Sequence, residues 1–128
     1  MNQTKKGILT KNAPAPIGPY QQAVEVNGFV FCSGQIALDP QTGTLSSDKV
    51  EGQTEQVMKN LEAVLKEADL TFEHVVKTTI FLKNMNDFPK VNELYGKYFK
   101  NNPPARATVE VSRLPKDVLV EIDAIAAR

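Results

Sequence analysis

A chain of 128 residues with 15 basic and 15 acidic side chains and a formal net charge of zero is read as one domain, residues 1–128, with a single core. No run of like charge forms a basic stripe, which argues against nucleic-acid binding through phosphate neutralisation, and no apolar stretch approaches a membrane span. The lone cysteine, Cys32, excludes an internal disulfide; with no apolar run behind the first lysines and no arginine before Arg106, a cytoplasmic protein without a secretory or transit segment is expected.

In chain order, Ile8-Leu9-Thr10 is predicted as a short first strand. Pro14, Pro16 and Pro19 then hold the backbone extended and remove its ladder donors. Such a segment lies on a surface or lines a cleft, presenting Tyr20 from a stiff backbone, although a plain connector with a packed tyrosine fits as well. Ala23–Val26 and Phe29–Ser33 flank Asn27-Gly28, a strong hairpin signal. The second of these strands ends Ser33-Gly34-Gln35, where glycine permits close backbone approach between two polar side chains. Residues 38–45 read as loop.

A helix is predicted over residues 50–68, with Val57, Leu61, Val64, Leu65 and Ala68 on its apolar face. Asp69 stands at its stop, where glycine would adopt a left-handed turn more easily. Thr71 is placed to cap a brief turn through His74, the lone histidine. With no second His or Cys beside it, no metal site is expected. Residues 75–82 alternate as a strand. Asp87 is placed to cap a second helix, with Pro89 in its first turn; Phe88, Val91, Leu94, Tyr95, Tyr98 and Phe99 form the buried stripe, and Asn92 falls near its edge.

The last stretch, residues 103–127, reads as a β-hairpin turning at Leu114-Pro115-Lys116-Asp117. Two charged residues, Arg106 and Glu121, fall in strands that otherwise look like core. The chain uses 12 Lys against 3 Arg, so an arginine here suggests a planar fork for a carboxylate; a strand-end salt bridge to Glu110 or Glu121 accounts for it too. Pairing Arg113 with Val118 would set Arg106 opposite Ile125 and Glu121 opposite Glu110, about 13 Å apart along the ladder. A neighbouring subunit is then the favoured way to bring them together. The element order predicts an α+β fold, a mixed β-sheet with two α-helices on one face, and leaves the other face for self-association.

Ala13-Pro14-Ala15-Pro16-Ile17-Gly18-Pro19-Tyr20, Cys32-Ser33-Gly34-Gln35-Ile36, Asn86-Asp87-Phe88 with Val91-Asn92, and Pro104-Ala105-Arg106 through Arg113-Leu114-Pro115-Lys116-Asp117 resemble the Rid family, also called L-PSP-type endoribonucleases or translation inhibitors. The resemblance runs through nearly the whole chain. It implies a chorismate-mutase-like fold and a homotrimer with sheets facing inward and a ligand cleft at each subunit interface. The implied activity is hydrolysis of 2-imino acids, tautomers of enamines such as 2-aminoacrylate and 2-aminocrotonate, to 2-keto acids and ammonia. Carried onto this chain, Arg106 grips the substrate carboxylate, Tyr20 lies in the cleft and Glu121 stands near the reacting water. Ser33, Gly34 and Asn92 line the site. Many members have Cys two residues after the arginine; here Thr108 stands there, and its backbone amide would keep the contact. Thiol nucleophilicity is not expected, because Cys32 lies on a different strand.

Such chemistry needs an anion clamp, a delivered water and proton handling at nitrogen, and calls for no cofactor. Two other readings stay open: an endoribonuclease or translation inhibitor, which the neutral charge and absent histidine pair disfavour, and a non-catalytic 2-keto acid-binding or chaperone-like trimer.

Overall fold

The computed structural model describes residues 4–128. A six-stranded mixed sheet forms its frame: β1 (Lys6–Ile8), β2 (Ala23–Val26), β3 (Phe29–Gln35), β4 (Val75–Leu82), β5 (Ala105–Glu110) and β6 (Val120–Ala127). Their order across the sheet is β1-β2-β3-β6-β4-β5. All neighbours are antiparallel except β4 and β5. Two helices, α1 (Val50–Glu67) and α2 (Phe88–Gly96), cover one face. Among the described residues no helix is long and apolar enough to cross a membrane.

The β2–β3 hairpin turns where predicted, with Asn27 at φ 53° and Gly28 at φ 79°, the left-handed pair that a two-residue turn of this hand requires. Helix α1 runs one residue short of its expected end and stops before Asp69, which takes φ 61°. Thr71 and His74 form a capping box: the Thr71 N–H donates to His74 Nδ1 at 3.1 Å, so the lone histidine is engaged in local structure. The first strand begins and ends two residues earlier than predicted.

Alternation sorts the sheet residues between two unlike faces. Thr78, Ile80 and Leu82 of β4 and Val120, Ile122, Ala124 and Ala126 of β6 are buried beneath Val57, Leu61, Val64 and Leu65 of α1 and Val91 and Tyr95 of α2. A register shift between Val75 and Lys77 turns Val76 outward, against the simple alternation expected there. Among the described residues the opposite face carries no helix. On it Phe29, Phe31, Val76 and Val109 are 45%, 44%, 45% and 39% exposed.

The expected terminal hairpin does not form. Strand β5 pairs with β4 in parallel, Thr78 opposite Arg106, while β6 pairs with β4 from the other side, Phe81 opposite Glu121. Thus β4 separates the two strands, and the proposed pairings of Arg106 with Ile125 and Glu121 with Glu110 are replaced. The reason lies upstream: β4, α2 and β5 form a parallel strand–helix–strand unit, which assigns β5 to one side of β4 and leaves the other to β6. The connecting residues 111–119 form no tight turn. They contain a single 3₁₀ turn, Pro115–Asp117, with Lys116 and Asp117 at φ 55° and 54°. Strand β5 is also not core: Ala105, Arg106, Ala107, Val109 and Glu110 are exposed along the sheet's free edge.

Candidate functional site

Register with buried Thr78 puts Arg106 on the helix-bearing face of the edge strand. Its Nη1 donates to Asn92 Oδ1 at 2.7 Å, and its Cζ lies 5.3 Å from the Phe88 ring centroid and 5.2 Å from that of Tyr95. Two aromatic rings and one amide therefore aim a guanidinium that remains exposed. The Tyr95 ring is fixed in turn, its hydroxyl 2.7 Å from Thr78 Oγ1 in the core; burial pushes its pKa up, so it stays a neutral phenol. The other two arginines hold carboxylates, Arg113 with Asp117 and Arg128 with Glu25. Among the described residues Arg106 has no carboxylate within 4.0 Å. The strand-end salt bridge is thus not made: Glu110 instead accepts the Met85 N–H at 2.8 Å.

Thr108 follows two residues on. The Val111 N–H donates to the Leu82 carbonyl at 2.9 Å. In a parallel ladder both polar groups of one residue point to the same side, so the same parity turns Ala107 and Val109 toward β4. Arg106 and Thr108 then direct their amides outward along the free edge, beside the guanidinium.

A second group of candidates lies on the sheet's opposite face. Between Cys32, opposite Ala124, and Gln35, opposite Ile122, β3 carries one residue more than β6, a bulge that re-aims Ser33 and Gly34. Ser33 Oγ donates to the Gln21 carbonyl at 2.5 Å, and its N–H to that of Gln22 at 2.9 Å. A Cβ on Gly34 would stand 2.1 Å from Glu121 Oε2, so the missing side chain is what lets this carboxyl lie across the strand. Burial, and then the charge of Asp123, raise the pKa of half-buried Glu121. Tyr20 is 49% exposed at the mouth of a shallow pocket of about 400 Å³ shared with Val24, Phe31 and Ser33. Burial pushes the Cys32 thiol up to about 12, which leaves it unreactive as a nucleophile. A larger hollow, about 1060 Å³ near Lys59, Lys66 and Phe72, includes none of these residues.

The candidates therefore fall into two half-sites, Arg106 with Asn92 and Thr108, and Tyr20 with Ser33, Gly34 and Glu121, on opposite faces of one sheet. Sequence reading placed Phe88 and Tyr95 in the core stripe and missed their second role against Arg106. The i, i+4 spacing of Phe88 and Asn92 was the available signal. Asp123, which accepts the Thr79 N–H at 3.1 Å and biases Glu121, carried no signal beyond its charge.

A small α+β protein with an open apolar sheet face and an edge arginine that meets no carboxylate among the described residues is the class that fold and site define. The endoribonuclease L-PSP family matches residues 10–128. A RutC family protein of Synechocystis is 61% identical over 96% of both chains. Reactive Intermediate Deaminase A, chloroplastic, of Arabidopsis thaliana is 48% identical over 95% of this chain and 65% of its own length. A crystal structure of a Rid family protein from Yersinia pestis superposes with a TM-score of 0.95 at 52% identity, covering 98% of this chain and all of that one. The chain belongs to the endoribonuclease L-PSP, or Rid, family, and its fold is the chorismate-mutase-like fold of that family.

Proposed function

We propose that this protein hydrolyses small 2-imino acids, tautomers of enamines such as 2-aminoacrylate and 2-aminocrotonate, to 2-keto acids and ammonia. The site is shared between adjacent copies of a homotrimer. The observation that carries the reading is Arg106: a guanidinium oriented by Asn92, Phe88 and Tyr95, with no carboxylate partner among the described residues. It is preorganised for a carboxylate from outside. Family membership supports the reaction class, since the Arabidopsis relative is named a reactive intermediate deaminase.

The chemistry follows from the two half-sites. Arg106 takes the substrate carboxylate, assisted by the outward Thr108 amide. Glu121 takes a proton from water as its oxygen bonds to the imine carbon, and passes that proton to nitrogen, giving a carbinolamine. Collapse breaks the C–N bond as the hydroxyl proton moves to the departing nitrogen through the same carboxyl. Ammonia leaves, and the 2-keto acid remains. A raised pKa suits a group that must both accept and return a proton near neutral pH. Tyr20 closes the crevice and its hydroxyl hydrogen-bonds the substrate or water, while Ser33 and Gly34 line it and admit the substrate beside Glu121.

Because Arg106 and Glu121 occupy opposite faces, no single chain assembles this set. A head-to-tail ring lays the edge half-site of one copy over the open-face half-site of the next, and the exposed Phe29, Phe31, Val76 and Val109 give that contact an apolar surface. The test couples a threonine dehydratase to the protein and follows imine decay. Arg106→Lys keeps the charge but loses the fork, worth about 1.5–3 kcal/mol for a charge-assisted bond, and kcat/KM falls about 10- to 150-fold. Glu121→Gln also loses turnover. Unchanged decay in both variants would refute the reading.

A further inference from the structure

One buried polar side chain has no part in the chemistry above. Gln22 is 1% exposed, next to β2. Its Oε1 accepts the Thr10 N–H at 2.7 Å, while its Nε2 lies 3.1, 3.3 and 2.9 Å from the carbonyls of Thr10, Ala13 and Pro14. The two contacts with Thr10 imitate a rung of sheet just beyond the β1–β2 ladder, which ends at Ile8 opposite Ala23. They close the loop 11–21 at its neck. That loop contains Pro14, Pro16 and Pro19, which have no N–H to offer, and its only internal main-chain bond is from the Tyr20 N–H to the Gly18 carbonyl at 2.8 Å. Carbonyls there that are turned from water need donors from elsewhere, and the Gln22 amide supplies those of Ala13 and Pro14. The same residue reaches the other side of the half-site, its main-chain carbonyl accepting the Ser33 N–H at 2.9 Å.

We infer that Gln22 is a positioning residue: its side chain clasps the proline segment so that Tyr20, two residues away, is held in fixed relation to Ser33 and Glu121. The stiffness of the segment transmits the restraint. Pro16 and Pro19 each fix one dihedral and restrict the residue before them, so the link from Pro14 to Tyr20 has few soft dihedrals outside Gly18, and clamping both its ends leaves the ring little freedom. The inference rests on the proposed site, since it assigns Gln22 a task only if Tyr20 acts there.

Gln22→Met fills nearly the same volume and removes every one of the side-chain bonds, leaving the main-chain bond with Ser33 in place. Expected is a loss of about 10- to 100-fold in kcat/KM for imine decay, the scale that misplacement of a site group produces. Combined with Tyr20→Phe, the loss should not multiply: the double variant falls no further than the worse single one. Amide hydrogen exchange should quicken over residues 11–21 and stay unchanged in β3, β4 and β6. Wild-type turnover in Gln22→Met, multiplicative losses with Tyr20→Phe, or faster exchange throughout the sheet would each overturn the inference. If Gln22→Met does not fold, Gln22→Glu decides. Its protonated carboxyl can still accept from Thr10 and donate to one carbonyl, whereas its ionised form faces three acceptors. Its turnover relative to wild type should therefore decline as pH rises, and a ratio independent of pH would overturn the proposal. Intact activity in both Tyr20→Phe and Arg106→Lys would remove the site and the role of the clasp together. Losses in those two with a silent Gln22→Met would remove the clasp alone.

Discussion

Glu121 sits where its neutral form is favoured, being half-buried with Asp123 nearby. The folded-state pKa therefore lies above the ordinary value, and folding takes up protons at this position. The contribution to stability is fully present below pH 4.5, the ordinary value, and is lost as pH rises through the folded-state pKa. A glutamine stays neutral throughout. Glu121→Gln is thus expected to melt higher than wild type near neutral pH and to lose that advantage below about pH 4.5, which thermal melts across a pH series will show. A variant that gains stability while losing turnover is the signature of a group retained for chemistry. Arg106 presents the same logic in different form. Stacked on Phe88 and Tyr95 and bonded to Asn92, it spends its aromatic contacts on orientation and leaves most of its donors unused.

Among the elements, the bulge in β3 matters most to the open-face half-site. Gly34→Ala would bring a methyl group to 2.1 Å from Glu121 Oε2, but that atom ends a flexible side chain, so the carboxyl can swing aside without disturbing the backbone. The expected result is a folded protein with nearly unchanged melting and a loss of imine turnover approaching that of Glu121→Gln; steady-state kinetics beside calorimetry separates the two effects. Both helices, the first hairpin and β4 were legible in sequence because each depends on local pattern: the stripe of α1, Asn27-Gly28, the alternation through Thr78 and Ile80. Strand partnership was not. Period-two alternation in residues 105–110 and 120–127 marks strands and says nothing of their neighbours, and Pro115 imitates a hairpin turn in a connection that crosses β4. The same misreading hid the fact that Arg106 and Glu121 face opposite ways. Arg106, Tyr20, Ser33 and Glu121 were singled out by residue type and by resemblance to the family, but Gln22 was not, because a buried glutamine that satisfies distant carbonyls leaves no mark in spacing.

For the assembled molecule, the two-faced arrangement leads to a direct test of shared sites. Arg106→Ala and Glu121→Gln are each expected to be inactive alone. After subunit exchange in an equal mixture, roughly a quarter of the crevices in a head-to-tail ring take an intact arginine from one copy and an intact glutamate from the next. Activity should return to about that fraction of wild type. Recovery that never rises above the two parents would show that each chain works alone. The placement of the two halves also bears on inheritance of damage. In the proposed ring every copy would serve two crevices, giving its edge to one and its open face to another, so a chain impaired in both ways would poison its healthy neighbours on either side. Co-expressed with the normal protein, such a chain is expected to act as a dominant inhibitor, lowering imine turnover out of proportion to its share of the population.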